Sequence, residues 1–83
     1  MIEAHISGPR GSLYFSAPTT PYDLETLRTH VREANAVCPR QVHVDLRVDR
    51  TDRAFAPNVT SLIREFMSRG IAVRVGRLRA AHR

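Results

Sequence analysis

Eighty-three residues, of which 42% are hydrophobic, are enough for one small domain with a modest core. The longest apolar stretches are three or four residues, far short of a membrane span, and the single cysteine, Cys38, excludes an internal disulfide. The net charge of +5 comes entirely from arginine and sits at one end: residues 1–63 balance seven Arg against seven acids, whereas residues 64–83 set six Arg against Glu65. A basic end of this kind suits phosphates or acidic partners, or serves only as a solubilising tail.

Ile2, Ala4 and Ile6 alternate with Glu3, His5 and Ser7, the period of a half-buried strand. Ser7–Ser12 reads as a turn from its two glycines and proline. Leu13, Phe15 and Ala17 then alternate with Tyr14 and Ser16, so the first two strands form a hairpin. A helix follows. Thr20 is its cap, Pro21 suits the first position, and Asp23 and Glu25 lie near the positive dipole end. Leu24, Leu27, Val31, Ala34 and Val37 or Cys38 give it one apolar face, and Pro39 stops it.

Val42, Val44, Leu46 and Val48 form a third strand, with His43, Asp45, Arg47 and Asp49 turned the other way. A charged loop leads to Pro57, which opens a second helix with an apolar stripe of Val59, Leu62, Ile63, Phe66 and Met67. Gly70 is the expected left-handed stop, with Ile71 folding back on the last turn. Val73 and Val75, flanking Arg74, make a fourth strand, and residues 79–83 a basic tail behind a single domain of residues 1–78.

The order β-β-α-β-α-β, with two right-handed helix crossovers, predicts an α/β two-layer sandwich. Its mixed four-stranded sheet carries both helices on one face. The alternation in the third strand agrees, because a strand covered on both faces would be apolar throughout. The other face is then open and polar, and carries Glu3, His5, Tyr14, Ser16, His43, Asp45, Arg47 and Arg74. On it Tyr14, flanked by His43 and Arg74, is the kind of amphipathic anchor that interfaces use.

The element pattern resembles the STAS domain, the fold of bacterial anti-sigma-factor antagonists, over residues 1–76. The resemblance lies in "GSLYFSAP" before an acid-started helix, in "VHVDLRV" as central strand, and in "SRGIAVRV" as helix end and fourth strand. It implies a non-catalytic protein-interaction module that binds a regulatory partner with the loop after the central strand and the start of the second helix. In signalling members that loop carries an Asp-Ser pair whose serine is phosphorylated. The matching positions here are Asp52 and Arg53, so the phosphoacceptor is missing. Arg53 cannot take a phosphoryl group. Thr51, Thr60 and Ser61 lie off the motif. The further helix that the family usually adds after the fourth strand is also missing before Arg83.

Site chemistry is sparse. Asp49 and Asp52 are spaced to flank a substrate, but Arg47, Arg50 and Arg53 interleave with them and hold them ionised, so no catalysis is expected. Arg50 and Arg53 beside a helix N-terminus could attract an anion, against the pull of the neighbouring acids; a solvated loop with local ion pairs is the plainer account. His5, His43 and Asp45 fall short of a zinc set, so no metal or cofactor is expected. "NVT" at Asn58–Thr60 matches a glycosylation sequon of little meaning without a secretory leader, and none is evident at the N-terminus. A reduced cytoplasmic setting is therefore expected, with Cys38 half-buried near a helix end.

The partner surface expected is Asp49, Arg50, Asp52 and Arg53 on the loop, with Tyr14, His43 and Arg74 on the open face, where self-association is an equal prospect. The alternative is a small basic nucleic-acid-binding accessory protein using Arg74, Arg77, Arg79 and Arg83. No recognition-helix pattern or stacking aromatic pair accompanies those arginines. A third reading is a phage-encoded factor that binds a host regulator.

Overall fold

A computed structural model describes residues 1–18, 20–49 and 56–78, with the side chain of Ala56 left aside. Its elements run β1 (Ile2–Gly8), β2 (Gly11–Ala17), α1 (Pro21–Val37), β3 (His43–Val48), α2 (Ala56–Ser68) and β4 (Ala72–Arg77). The sheet order is β2-β1-β3-β4. β1 is antiparallel to both of its neighbours, and β3 and β4 are parallel. This is the expected mixed sheet with both helices on one face.

Each boundary has a local cause. Pro9 and Arg10 form the turn between the paired Gly8 and Gly11. Thr20 caps α1, its hydroxyl accepting from the Asp23 N–H at 3.2 Å. At the far end the Cys38 N–H closes the last bond to Ala34 O at 3.0 Å. Arg40 then takes a left-handed conformation (φ 63°), with its N–H on Asn35 Oδ1. α2 ends in a Schellman motif: the Ile71 N–H donates to Phe66 O and the Gly70 N–H to Met67 O, with Gly70 at φ 80°. Ile71 is thereby returned to the core.

One core joins the layers. Ile2, Ala4 and Ile6 of β1, Val44 and Leu46 of β3, Leu24, Leu27 and Val31 of α1, and Val59, Leu62 and Phe66 of α2 are all buried together. Burying each large side chain contributes about 1.5–3 kcal/mol. Above them Arg28 of α1 reaches Glu65 of α2, Nε to Oε1 at 2.9 Å, and ties the helices side by side.

Some apolar residues are not where the periodicity puts them. Met67 and Val37, both in the expected apolar stripes of their helices, are exposed. Leu13 and Val75 lie on edge strands with a neighbour on one side only, so the core cannot enclose them. Val42, expected as the first residue of the third strand, is buried one position ahead of β3. Cys38 is half-buried at the end of α1. Among the described residues no helix is long and apolar enough to cross a membrane.

Candidate functional site

The registers turn the open face into three rows. Strand alternation sends Ile2, Ala4, Ile6, Val44 and Leu46 to the helices and the residues between them to the open face. The central row runs Tyr14, His5, Asp45, Arg74 across all four strands. On one side lies the row Ser16, Glu3, Arg47, Gly76, and on the other Ser12, Ser7, His43, Ala72. All eight residues expected on this face are on it.

Their neighbours differ from expectation in one respect. Tyr14 is not flanked by His43 and Arg74. β1 separates it from β3, and Arg74 lies three strands away, about 14 Å at ordinary strand spacing. Its partner is His5, whose ring stacks on it with centroids 4.8 Å apart and planes 16° from parallel. Alternation within a strand says which residues share a face, but not which strands adjoin, and the hairpin is what places His5 opposite Tyr14. Tyr14 remains 76% exposed.

Asp45 sits mid-row. Its side chain is 37% exposed as a whole, yet Oδ1 is sealed from solvent and has no hydrogen-bond partner. Arg47 Nε, at 3.7 Å, is near enough for an ion pair and too far for a hydrogen bond. Arg47 lies across Gly76, where an added Cβ would stand 3.2 Å from its Cδ. The absence of a side chain at position 76 is therefore what lets the guanidinium lie flat on the sheet. His5, His43, Asp45 and Arg74 rim a shallow depression of about 320 Å³.

The loop half of the expected partner surface is only partly visible. Asp49 is half-buried at the end of β3, its N–H donating to Met1 O at 3.2 Å. Arg50, Asp52 and Arg53, with Thr51, lie outside the described residues, as do Arg79 and Arg83 of the basic tail. Arg74 and Arg77 are both exposed on β4, but three positions apart on a strand they point to opposite faces.

A second concavity was not legible in the sequence. A largely apolar pocket of about 340 Å³ opens between the hairpin and the last turns of α1, lined by Leu13, His30, Val37 and Cys38 among others. His30 also meets the edge of Phe15, with centroids 6.1 Å apart. Its apolar lining includes Leu13, the third residue of β2, and Val37, the last of α1. Cys38 and His30 do not make a nucleophile and base: eight helical residues separate them by about 12 Å. Among the described residues no group of three or more His, Cys, Asp or Glu is placed to hold a metal.

Compared with protein-family models, with curated proteins and with solved structures, the chain matches none.

Proposed function

We propose that this chain is a non-catalytic, STAS-like interaction module that offers its open sheet face to a regulatory protein partner. The observation that carries this is Tyr14: a large amphipathic ring, three-quarters exposed, held flat by its stack on His5 at the head of a row that ends in Asp45 and Arg74. A ring fixed before contact loses little rotamer entropy on binding, which is why such residues anchor interfaces. By the STAS resemblance, Asp52 and Arg53 of the charged loop that follows β3 in the sequence belong to the same partner-binding function.

The experiment is capture from host lysate with the wild-type chain, with His43→Ala/Arg74→Ala on the face, and with Asp52→Ala/Arg53→Ala on the loop. Folding of each variant is checked by circular dichroism. A partner retained by wild type and lost by the face variant supports the proposal. Equal recovery by all three chains refutes it.

A nucleic-acid role rests on the net charge and on the exposure of Arg74 and Arg77. Their opposite orientation leaves one face with only one of them, which favours the protein partner. Titration of short duplex DNA at rising salt separates the two, since phosphate-driven affinity falls steeply with salt and a protein-directed face gives none to lose.

A further inference from the structure

The two edges of the sheet are built differently. β4 carries Arg74 and Arg77, the charged guards that natural edge strands use against pairing. β2 reads GSLYFSA, with no charge, no proline and no bulge in its register, and Leu13 (44%) and Tyr14 are exposed on its two faces. Among the described residues nothing pairs with its outer side.

The hairpin fixes which backbone groups face outward. Gly8 and Gly11 close a two-residue turn, so they form a hydrogen-bonded pair, and bonded pairs alternate from there: Ile6 with Leu13, Ala4 with Phe15, Ile2 with Ala17. The N–H and C=O of Ser12, Tyr14 and Ser16 therefore point away from β1, into solvent.

We infer that two copies of this chain pair β2 to β2, antiparallel, about a twofold axis at Tyr14, which joins the two sheets into one. In that register Tyr14 exchanges both bonds with its symmetry mate, and Ser12 pairs with Ser16 of the second copy and Ser16 with Ser12. Every outward group is then used, whereas moving the axis to the next residue pair in either direction leaves some unpaired. Side chains agree with the backbone. On the helix side Leu13 meets Phe15 of the other copy, enclosing the aliphatic surface that one copy leaves exposed. On the open face the two Tyr14 rings are neighbours, which extends the His5 stack across the axis. No charge lies on the seam, so the +5 on each copy is held away from it. The pairing uses the strand edge and stands independently of a partner on the open face.

Sedimentation equilibrium of the full chain from about 1 µM to about 1 mM tests this. A reversible monomer–dimer equilibrium is expected. Ser16→Pro removes only outward N–H groups, two per dimer, and should raise the dissociation constant about 30-fold while leaving the β1 ladder intact. Tyr14→Lys sets like charges face to face on the axis and should raise it at least about tenfold. Arg74→Ala, on the open face but far from the seam, should leave it unchanged.

Register is tested in a Cys38→Ser background. Tyr14→Cys should form an interchain disulfide, because paired Cα atoms lie about 5.5 Å apart. Ser12→Cys should not, since its own symmetry mate is about 13 Å away along the strand. A monomer at every concentration, a dimer indifferent to both Ser16→Pro and Tyr14→Lys, or equal cross-linking at positions 12 and 14 would overturn the inference. Strand addition of a foreign peptide to a monomeric chain would overturn it too.

Discussion

The link between the helices allows a quantitative test of how the two-layer fold holds together. Arg28 Nε donates to Glu65 Oε1 at 2.9 Å, and its NH1 donates to Glu25 on its own helix. Both side chains of the interhelical pair are about a quarter exposed, at 28% and 27%. Partial burial opposes the Arg28 charge, but the Glu25 bond and the nearby Glu65 carboxylate outweigh it and hold the guanidinium above its ordinary pKa. A fully exposed pair contributes about 0.2–1 kcal/mol, and a hydrogen bond to a charged group about 1.5–3 kcal/mol. At this exposure the coupling should fall between them, at about 1–1.5 kcal/mol. A double-mutant cycle of Arg28→Met and Glu65→Gln, read by urea unfolding at low salt, isolates it. Each single variant should lose more than the coupling, because Glu65 also faces Arg69 at 3.8 Å and Arg28 also holds Glu25. A coupling energy below about 0.3 kcal/mol would refute the reasoning, since values that small are ordinary for sites that do not touch.

Three further outcomes are expected. Phe66→Ala should cost about 3–5 kcal/mol, because the ring is fully buried between helix and sheet, and a chemical-denaturation loss under about 1.5 kcal/mol would place it elsewhere. Gly70→Ala should cost about 1–2 kcal/mol in thermal unfolding: φ is 80° there, and the new methyl would press on Arg40 Cγ at 3.3 Å. An unchanged Tm would show that the α2 stop does not need glycine. Asp45→Ala should leave stability unchanged or raise it by up to about 1 kcal/mol, since it deletes a sealed oxygen with no hydrogen bond, whose 3.7 Å ion pair with half-exposed Arg47 is weak. A loss of about 2 kcal/mol would mean that Oδ1 has a hydrogen-bond partner.

Most of the architecture was legible because each element announces itself locally. Thr20-Pro21 and Gly70 mark helix ends by backbone chemistry, and period-two alternation assigns every open-face residue to its face. What local pattern cannot carry is adjacency between strands. The hairpin register decides that Tyr14 stacks on His5, and the α1 crossover, which leaves β1 between β2 and β3, keeps it from His43. The α2 crossover, which sets β4 beside β3, places Asp45 opposite Arg74 and Arg47 over Gly76. Exposure at the edges is equally non-local: Leu13 and Val75 have the same alternation as Ala4 and Leu46, and differ only in having a strand on one side.

Topology also explains why two binding surfaces meet at one residue. Both crossovers carry the chain away from the hairpin, so β2 is left at the edge and its outer backbone groups stay unpaired. With both helices on one side, the other face of β2 is left open as well. Tyr14 lies at that corner: its ring belongs to the open face and its N–H and C=O to the edge. A substitution there cannot separate a partner on the face from a second copy on the edge. Arg74 and Ser16 can. Arg74 shares the row with Tyr14 but sits on the opposite edge strand, so its loss should weaken only face contacts. Ser16→Pro alters the β2 backbone without adding charge to the face, so its loss should fall on self-pairing. Opposite responses of the two variants in the capture and sedimentation assays would establish two independent surfaces. A parallel response would mean that the partner binds only the paired form.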